Sequence, residues 1–263
     1  MNPSRIRQKF ATGQPAWCVK ACYADPELVE LISAQGFDGI WICLEHKRLD
    51  PSVIYSLIQA CRLGGADAVM RVKPANHSEL APLLESGARA IMLPRVREVD
   101  EVREVVSWMK YTPVGRRGYD AIHADAGFGL GSPKDYMAEA NRETLLIVQI
   151  EEPEVIPHLD AIAALPGVDV LFVGPADMSL GLGVFGQPDA PELANVVNKV
   201  LEVCQRHGKV AGIPCPATHA QRYYDMGYRF ICVGSDYHGV INGFKKVKAD
   251  MGSLWEAKGC IQA

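Results

Sequence analysis

Eight short apolar runs alternate with helix-length amphipathic segments along the whole chain. Both faces of each run are apolar, as in strands of a parallel sheet that is covered on both sides. This alternation predicts an α/β fold, and eight units within 263 residues favour a closed (β/α)8 barrel over an open sheet. The predicted strands are Trp17–Ala21, Gly39–Leu44, Ala68–Val72, Ala90–Leu93, Leu145–Ile150, Asp169–Val173, Lys209–Ile213 and Arg229–Val233.

Predicted helices fill the intervals between these strands. Asp25 and Asp50 are predicted N-caps, each followed by a proline at the first helical position. No linker interrupts the pattern, so residues 1–263 are interpreted as one domain with a last helix at about 239–251. The long stretch 111–132 is typical of a functional loop. The other helices are predicted at Pro26–Ala34, Pro51–Leu63, Ser78–Glu85, Val99–Lys110, Pro133–Asn141, Pro153–Ala164, Ala190–His207 and Thr218–Met226.

Charge and composition argue against several classes of partner. A net charge of −4 favours no nucleic-acid surface, and no apolar run approaches the roughly 20 residues of a membrane span. The first residues lack the apolar segment of a secretory signal. Eight cysteines without framework or zinc spacing predict reduced thiols packed in the core, and hence a cytoplasmic protein.

The ends of the predicted strands supply the candidate site. The active site of a (β/α)8 barrel lies at the C-terminal ends of its strands. Five strands pass directly into polar groups at that end, which chance placement does not readily explain. These groups are Glu45-His46, Arg71, Gln149-Ile150-Glu151, Gly174-Pro175-Ala176-Asp177 and Gly234-Ser235-Asp236.

This set of side chains supports metal-assisted enolate chemistry. Glu151 and Asp177 offer oxygen ligands for Mg²⁺ or Mn²⁺. Arg71 can clamp a substrate carboxylate, and the turn 174–176 presents backbone N–H groups to an anion. His46 can act as a general base that removes a proton from C3 of a 2-oxo acid, although the alternative is a solvated loop residue. The metal ion would stabilise the enolate as a Lewis acid.

Ordinary structural roles compete with these assignments. Glu151 and Asp177 are each compatible with capping the helix that follows. Arg71 is compatible with a structural ion pair to Glu85 or Asp67. These alternatives stay open at the level of the sequence.

Six segments resemble the HpcH/HpaI family of class II, metal-dependent pyruvate aldolases. They are spread over nearly the whole chain in the order found in that family, and the VQIE and GPAD motifs are the most specific. The resemblance implies a TIM barrel of the phosphoenolpyruvate/pyruvate-binding type. The segments are GFDGIWICLEH (36–46), AVMRVKPAN (68–76), LLESGARAIMLPRV (83–96), YTPVGRRG (111–118), the stretch 148–183 and AGIP (211–214).

The resemblance also implies roles for individual residues. Glu151 and Asp177 would bind the divalent cation (Mg²⁺ or Mn²⁺, with Co²⁺ as a further option), and Glu45 would orient metal-bound water. Arg71 would hold the carboxylate of pyruvate and polarise its oxygens, while His46 would be the base. The substrate site would also include Gln149, Gly174, Pro175 and Ala176, the last through its backbone N–H.

Several positions depart from the family pattern. Cys43 stands where related aldolases carry an aspartate, which removes a charge and a good acceptor. Glu85 stands where they commonly place the aspartate that partners the catalytic histidine. The stretch GYDAIHADAGFGLG (118–131) and the turn Pro214-Cys215-Pro216 also differ, so the pyruvate half of the site is better supported than the aldehyde half.

The favoured function is cleavage of a 4-hydroxy-2-oxo acid to pyruvate and an aldehyde. A related alternative is an enolate-forming lyase, such as an oxaloacetate decarboxylase, and a more distant one is a non-catalytic barrel that binds a 2-oxo acid. The resemblance further implies a homo-oligomer, commonly a trimer or a hexamer. In such an assembly the helix at about 239–251 would pack on a neighbouring subunit.

Overall fold

Eight parallel strands pair in chain order and close into a barrel in the computed structural model, which describes residues 1–256. Ala16 on the first strand pairs with Phe230 on the last, which closes the sheet. The prediction of a closed (β/α)8 barrel is therefore confirmed. The strands are β1 (Ala16–Ala21), β2 (Gly39–Cys43), β3 (Asp67–Arg71), β4 (Ala90–Leu93), β5 (Leu145–Ile150), β6 (Val170–Val173), β7 (Val210–Cys215) and β8 (Phe230–Ser235).

Helices cover the outside of the barrel between these strands. Short 3₁₀ helices lie at Gly127–Gly129, Pro153–His158 and Ala217–His219. The α-helices are α1 (Arg5–Ala11), α2 (Pro26–Ala34), α3 (Pro51–Gly64), α4 (His77–Glu85), α5 (Val99–Met109), α6 (Pro133–Glu143), α7 (Leu159–Ala163), α8 (Pro175–Gly181), α9 (Pro191–His207), α10 (Ala220–Met226), α11 (Asp236–Met251) and α12 (Ser253–Glu256).

Three details of the predicted helices were wrong. The helix expected over 153–164 begins as a 3₁₀ segment and becomes α-helical only in α7, because in an α-helix the ring of Pro157 would clash with the carbonyl of residue 153. Helices α1, α8 and α12 were not predicted. They have 7, 7 and 4 residues, too few to show a helical period. Helix α11 begins at Asp236, three residues before the predicted start.

The N-terminal helix α1 closes one end of the barrel. Ile6 is fully buried and packs among the side chains that fill the barrel interior. Asp67, at the start of β3, accepts hydrogen bonds from Ser4 Oγ at 2.6 Å and from the backbone N–H of Ile6 at 2.9 Å. Arg5 pairs with Asp38 at 2.9 Å in the same region. Since the N-terminal end is filled, the C-terminal end is the open one.

Aromatic rings form an apolar layer below that open end. Phe172 packs edge-on against Trp41 at 5.8 Å and against Phe230 at 5.7 Å between ring centroids. A Cβ at Gly212 would lie 2.6 Å from a ring carbon of Phe172, so glycine is needed for this packing. The layer makes an apolar floor for the polar groups above it.

The cysteines pack in the core as predicted. Every cysteine in the described part of the chain is a free thiol, and all of these except Cys22 are buried. Cys260 lies outside the described residues. No described helix is both long and apolar enough to cross a membrane.

Candidate active site

Arg71 lies at the centre of a polar layer at the C-terminal end of the barrel. Its side chain is buried, and Nη2 donates to the Sγ of Cys43 on the adjacent strand over 2.9 Å. Nη1 reaches Oε1 of Gln149 at 3.5 Å, and Nε lies 3.3 Å from Oε2 of Glu45 without hydrogen-bond alignment. Its Cζ also lies 4.9 Å from the centroid of the Trp41 ring. The guanidinium is therefore oriented by groups from β2 and β5.

Glu151 follows β5 and is almost completely buried. Its Oε1 accepts a hydrogen bond from the backbone N–H of Arg95 at 2.8 Å, and its Oε2 accepts one from Nε2 of Gln149 at 3.1 Å. Burial raises the pKa of Glu151, and the negative charges of Glu45 and Asp177 raise it further. A cation at this position would favour the ionised carboxylate.

Asp177 lies in the first turn of α8, where its side chain is 43% exposed. Its Oδ1 is 3.4 Å from Nη1 of Arg95, whose Nε is 2.6 Å from Oε1 of Glu152. Arg95 has φ of 55°, a conformation that is uncommon for residues other than glycine. Arg95 thus contacts Glu151 through its backbone N–H and Asp177 through its guanidinium.

The turn between β6 and α8 brings backbone close to Glu151. A Cβ at Gly174 would lie 2.7 Å from both Cβ and Oε2 of Glu151, so the approach requires glycine. Pro175 begins α8, and Ala176 follows in its exposed first turn. The N–H of Ala176 has no partner within the helix because first-turn amides lack one. The predicted residues of this turn therefore share the C-terminal end of the barrel with Glu151.

His46 and Glu85 are not brought together within one protomer. His46 is 66% exposed, and its Nε2 lies 3.8 Å from Oε2 of Glu45. Glu85 ends α4, which runs away from the C-terminal end of the barrel. Within residues 1–256 no hydrogen bond or ion pair joins the two side chains.

The competing structural roles for these residues are not observed. Arg71 pairs with Glu45, whereas Asp67 binds the N-terminal segment. Residue 174 occupies the N-cap of α8 and residue 152 that of the following 3₁₀ helix, so neither Asp177 nor Glu151 is a cap. The structural alternatives for Arg71, Glu151 and Asp177 were therefore wrong.

Part of the long stretch 111–132 packs at the other end of the barrel. Asp125 is buried and accepts a hydrogen bond from Nη1 of Arg89 at 2.7 Å. Arg89 immediately precedes β4, so this contact lies near the N-terminal ends of the strands. The buried guanidinium of Arg117 lies over the ring of Tyr111 at 4.8 Å. Within one protomer, Asp125 is thus separated from the polar layer around Arg71.

The sequence matches a known family along most of its length. The model of the HpcH/HpaI aldolase/citrate lyase family matches residues 21–243, a range that includes every residue of the polar layer. The chain belongs to this family. Membership makes the protein a carbon–carbon lyase, and it confirms the family resemblance found in the sequence motifs.

Relatives of the chain within the HpcH/HpaI family are aldolases. A hydroxypyruvate/pyruvate aldolase of Delftia acidovorans is 33% identical over 89% of this chain and 87% of its own length. A 5-keto-4-deoxy-D-glucarate aldolase of Klebsiella pneumoniae is 30% identical over 94% of this chain and 96% of its own length. The crystal structure of an HpcH/HpaI aldolase from Desulfitobacterium hafniense matches with a TM-score of 0.87 and 25% identity, covering 94% of this chain and 96% of that one.

Two features of this HpcH/HpaI site were not predicted from the sequence. Arg95 was not singled out, although it lies two residues after the end of β4, at the same end as the predicted site residues. The contact between Cys43 and Arg71 was also missed. The signal for it was available, because both residues are the last of neighbouring parallel strands and pair in register.

Proposed function

We propose that the protein cleaves a 4-hydroxy-2-oxo acid to pyruvate and an aldehyde through the enolate of pyruvate. One observation carries the proposal. Gln149 connects the guanidinium of Arg71, at 3.5 Å, to the carboxylate of Glu151, at 3.1 Å. A group that binds carboxylates and a group that binds cations are thus held side by side, as a metal-assisted 2-oxo acid lyase requires.

The carboxylates of the site fit a hard divalent cation, and metal dependence is typical of the family. The described residues contain no cluster of three or more His, Cys, Asp or Glu ligands. Mg²⁺, however, commonly takes one or two carboxylates and keeps several waters. Glu151 and Asp177 supply that pair, and the buried Oε2 of Glu45 has no hydrogen-bond partner. When bound, the cation would supply Lewis-acid stabilisation of the enolate oxygen.

The protein's own groups then bind and orient the substrate. Arg71 holds the carboxylate of the 2-oxo acid through its planar fork, and Gln149 fixes the plane of that fork. The N–H of Ala176 donates to the same carboxylate. His46 accepts the proton of the 4-hydroxyl group during cleavage and returns a proton to C3 of the enolate, with Glu85 as its partner in the assembled protein.

The exposure of His46 favours one second candidate function. His46 is 66% exposed, and among the described residues no hydrogen bond or ion pair joins it to Glu85. Decarboxylation of oxaloacetate forms the same enolate without a base, since loss of CO₂ leaves the electron pair on C3. Retention of this decarboxylation by His46→Ala together with loss of aldol cleavage would show that the site supports both reactions.

Hydrogen exchange of pyruvate in D₂O tests the proposal without knowledge of the aldehyde. NMR follows the methyl protons with Mg²⁺ or Mn²⁺, with EDTA, and in Glu151→Gln. Glu154→Gln is the matched control, because Glu154 is an exposed carboxylate three residues further along the chain. We expect exchange that needs the metal ion and Glu151 but survives in the control. Exchange that is insensitive to EDTA and to Glu151→Gln would refute the metal assignment.

The C-terminal helix supports the further proposal of a homo-oligomer. Helix α11 exposes the apolar side chains of Val240, Phe244, Val247 and Met251 along one face. This spacing is that of a buried helical stripe. A cavity of about 950 Å³ beside β1 and β8 is lined in part by the apolar residues Ile32 and Phe37 of the α2 region. We infer that α11 of a neighbouring subunit packs there, in a trimer or a hexamer.

A further inference from the structure

Arg117 is a buried cation near the N-terminal end of the barrel that the proposed chemistry leaves without a role. Only 5% of the residue is exposed, and its Cζ lies 4.8 Å from the centroid of the Tyr111 ring. Its backbone N–H donates to the carbonyl of Lys110 at 2.9 Å, just after the end of α5. Within residues 1–256, however, Nε, Nη1 and Nη2 have no hydrogen-bond acceptor. Because a buried guanidinium without an acceptor is unfavourable, these nitrogens require a carboxylate.

The nearby carboxylate of Asp125 is already occupied. Its Oδ1 accepts a hydrogen bond from Nη1 of Arg89 at 2.7 Å, and its Oδ2 accepts one from the hydroxyl of Tyr136 at 3.1 Å. Tyr136 in turn packs edge-on against Tyr111, with 6.1 Å between the ring centroids. Both oxygens of Asp125 thus have donors, which leaves Arg117 to another acid.

Glu85 is the other carboxylate near this cluster. It ends α4, which packs against α5, and both helices run towards the N-terminal end of the barrel. Two residues further on, the carbonyl of Gly87 accepts a hydrogen bond from Nη1 of Arg89 at 3.3 Å. Burial raises the pKa of Tyr111, the charge of Arg117 lowers it, and the charge of Glu85 raises it again. Arg117 and Glu85 therefore lie close to the same phenol.

Glu85 is itself without a partner in one protomer. Its side chain is half-buried, and the described residues offer it neither a hydrogen bond nor an ion pair. A carboxylate that orients an imidazole must be held in one place, yet a glutamate has several side-chain torsions that are free to rotate. A salt bridge to Arg117 would restrict these torsions and would give the buried guanidinium its acceptor.

We propose that Arg117 is a positioning residue that pairs with the carboxylate of Glu85 and directs it towards His46 of the partner subunit. The inference rests on the proposed function, in which His46 is the base. The planar fork of Arg117 suits this task, because it can bind a carboxylate through parallel N–H groups while its face stacks on Tyr111. Burial strengthens such a pair, since little water competes for the carboxylate. Arg117 itself contacts neither substrate nor metal ion.

Two reactions of the same enolate distinguish positioning from structural support. Exchange of the methyl protons of pyruvate in D₂O needs the base, whereas decarboxylation of oxaloacetate leaves the electron pair on C3 without one. Loss of Arg117 should therefore slow exchange and spare decarboxylation. KM for pyruvate should stay unchanged, because Arg71 binds the carboxylate of pyruvate. A residue that only supports folding or assembly would affect both reactions alike.

The experiment measures both reactions with Mg²⁺ or Mn²⁺ in wild type and in variants of the proposed pair. The variants are Arg117→Gln, Arg117→Lys, Glu85→Gln and the double variant Arg117→Gln/Glu85→Gln. Arg116→Gln is the matched control, because it removes the same charge from the preceding, exposed residue of the loop. Sedimentation velocity of each variant shows whether its assembly is that of wild type.

We expect Arg117→Gln to lower kcat for exchange roughly ten- to a hundredfold, the range of a hydrogen bond to a charged group. Its decarboxylation should stay within about twofold of wild type, since that reaction needs no base. Arg117→Lys should restore part of the exchange. The double variant should be no slower than Glu85→Gln, because Arg117 acts through Glu85. Arg116→Gln should behave as wild type.

Parallel loss of exchange and decarboxylation in both Arg117 variants would overturn the positioning role and leave the proposed function intact. The same conclusion would follow from losses of exchange that add in the double variant. A wild type that decarboxylates oxaloacetate without exchanging pyruvate would refute the role of His46 as the base, and this inference with it. A wild type with neither reaction would refute the proposed function itself.

Discussion

The guanidinium of Arg71 donates to the Sγ of Cys43 over 2.9 Å, between the last residues of neighbouring strands. A thiol is a weak acceptor, so this contact orients Arg71 without neutralising it. Cys43→Ala should therefore have a modest effect, an increase of about two- to tenfold in KM for pyruvate, as for loss of one ordinary hydrogen bond. The measurement is pyruvate exchange in D₂O against pyruvate concentration. An unchanged KM would show that the contact has no orienting role.

Arg71→Lys should lower the activity far more than Cys43→Ala does. Lysine keeps the charge but cannot form the planar fork that faces the carboxylate and Gln149 together. We expect kcat/KM for aldol cleavage to fall roughly a hundredfold or more, since a bidentate charge-assisted pair is lost. Arg116→Lys, on the exposed part of the loop, provides the control. Near-native kinetics of Arg71→Lys would remove this residue from the site.

The sequence predicted those parts of the site that depend on strand ends. Glu151 follows the mostly apolar strand β5, and Arg71 ends β3. The barrel rule then places both at one end. The same rule explains why Glu85 is distant from His46, because a helix that follows a strand returns to the opposite end. The motif resemblance linked these two residues. It does not indicate at which end of the barrel each of them lies.

Other parts of the structure depend on tertiary contacts that a single sequence does not reveal. Helix α1 has one buried residue, Ile6, so its 7 residues carry no apolar period, yet Asp67 and Asp38 hold it across the barrel. Arg95 looks like an ordinary surface arginine in the sequence. Its role depends on φ of 55° and on the position of Glu151, which are set by the packing of β4 beside β5.

The apolar face of α11 leads to a prediction about assembly. Phe244 is 72% exposed within one protomer and lies at the centre of the stripe. Phe244→Asp should prevent packing on the neighbouring subunit, because the carboxylate would be buried without a partner. Sedimentation velocity should show smaller species for this variant. Ala249→Asp adds the same charge on the opposite face of the helix and should leave the assembly unchanged. Identical behaviour of both variants would contradict the proposed contact.

Lys110 makes folding stability depend on pH. Its Nζ donates to Asn141 O at 2.9 Å, to Thr144 O at 2.6 Å and to Thr144 Oγ1 at 3.0 Å. Burial lowers the pKa of Lys110 to about 8. Between that value and its ordinary value of 10.5 the unfolded chain holds more protons, so stability should rise with pH across this interval.

The check is chemical denaturation of wild type and Lys110→Met at pH 7 and pH 10. The free energy of unfolding of wild type should increase relative to the variant by about 2–3 kcal/mol at the higher pH. Lys246→Met removes an exposed lysine that is paired with Asp250, and it should show no such change. A difference between wild type and Lys110→Met that stays constant with pH would mean that Lys110 keeps its ordinary pKa.

Arg95 should weaken metal binding through its guanidinium while its backbone supports Glu151. Arg95→Gly keeps the backbone N–H and suits φ of 55°, but it removes the cation that lies 3.4 Å from Asp177. Since like charges repel, the affinity for Mg²⁺ or Mn²⁺ should rise by about three- to tenfold. Isothermal titration calorimetry measures this change, with Arg97→Gly as the control because Arg97 pairs only with Glu152 among the described residues. Weaker binding in Arg95→Gly would instead mean that the guanidinium positions Asp177 for the metal ion.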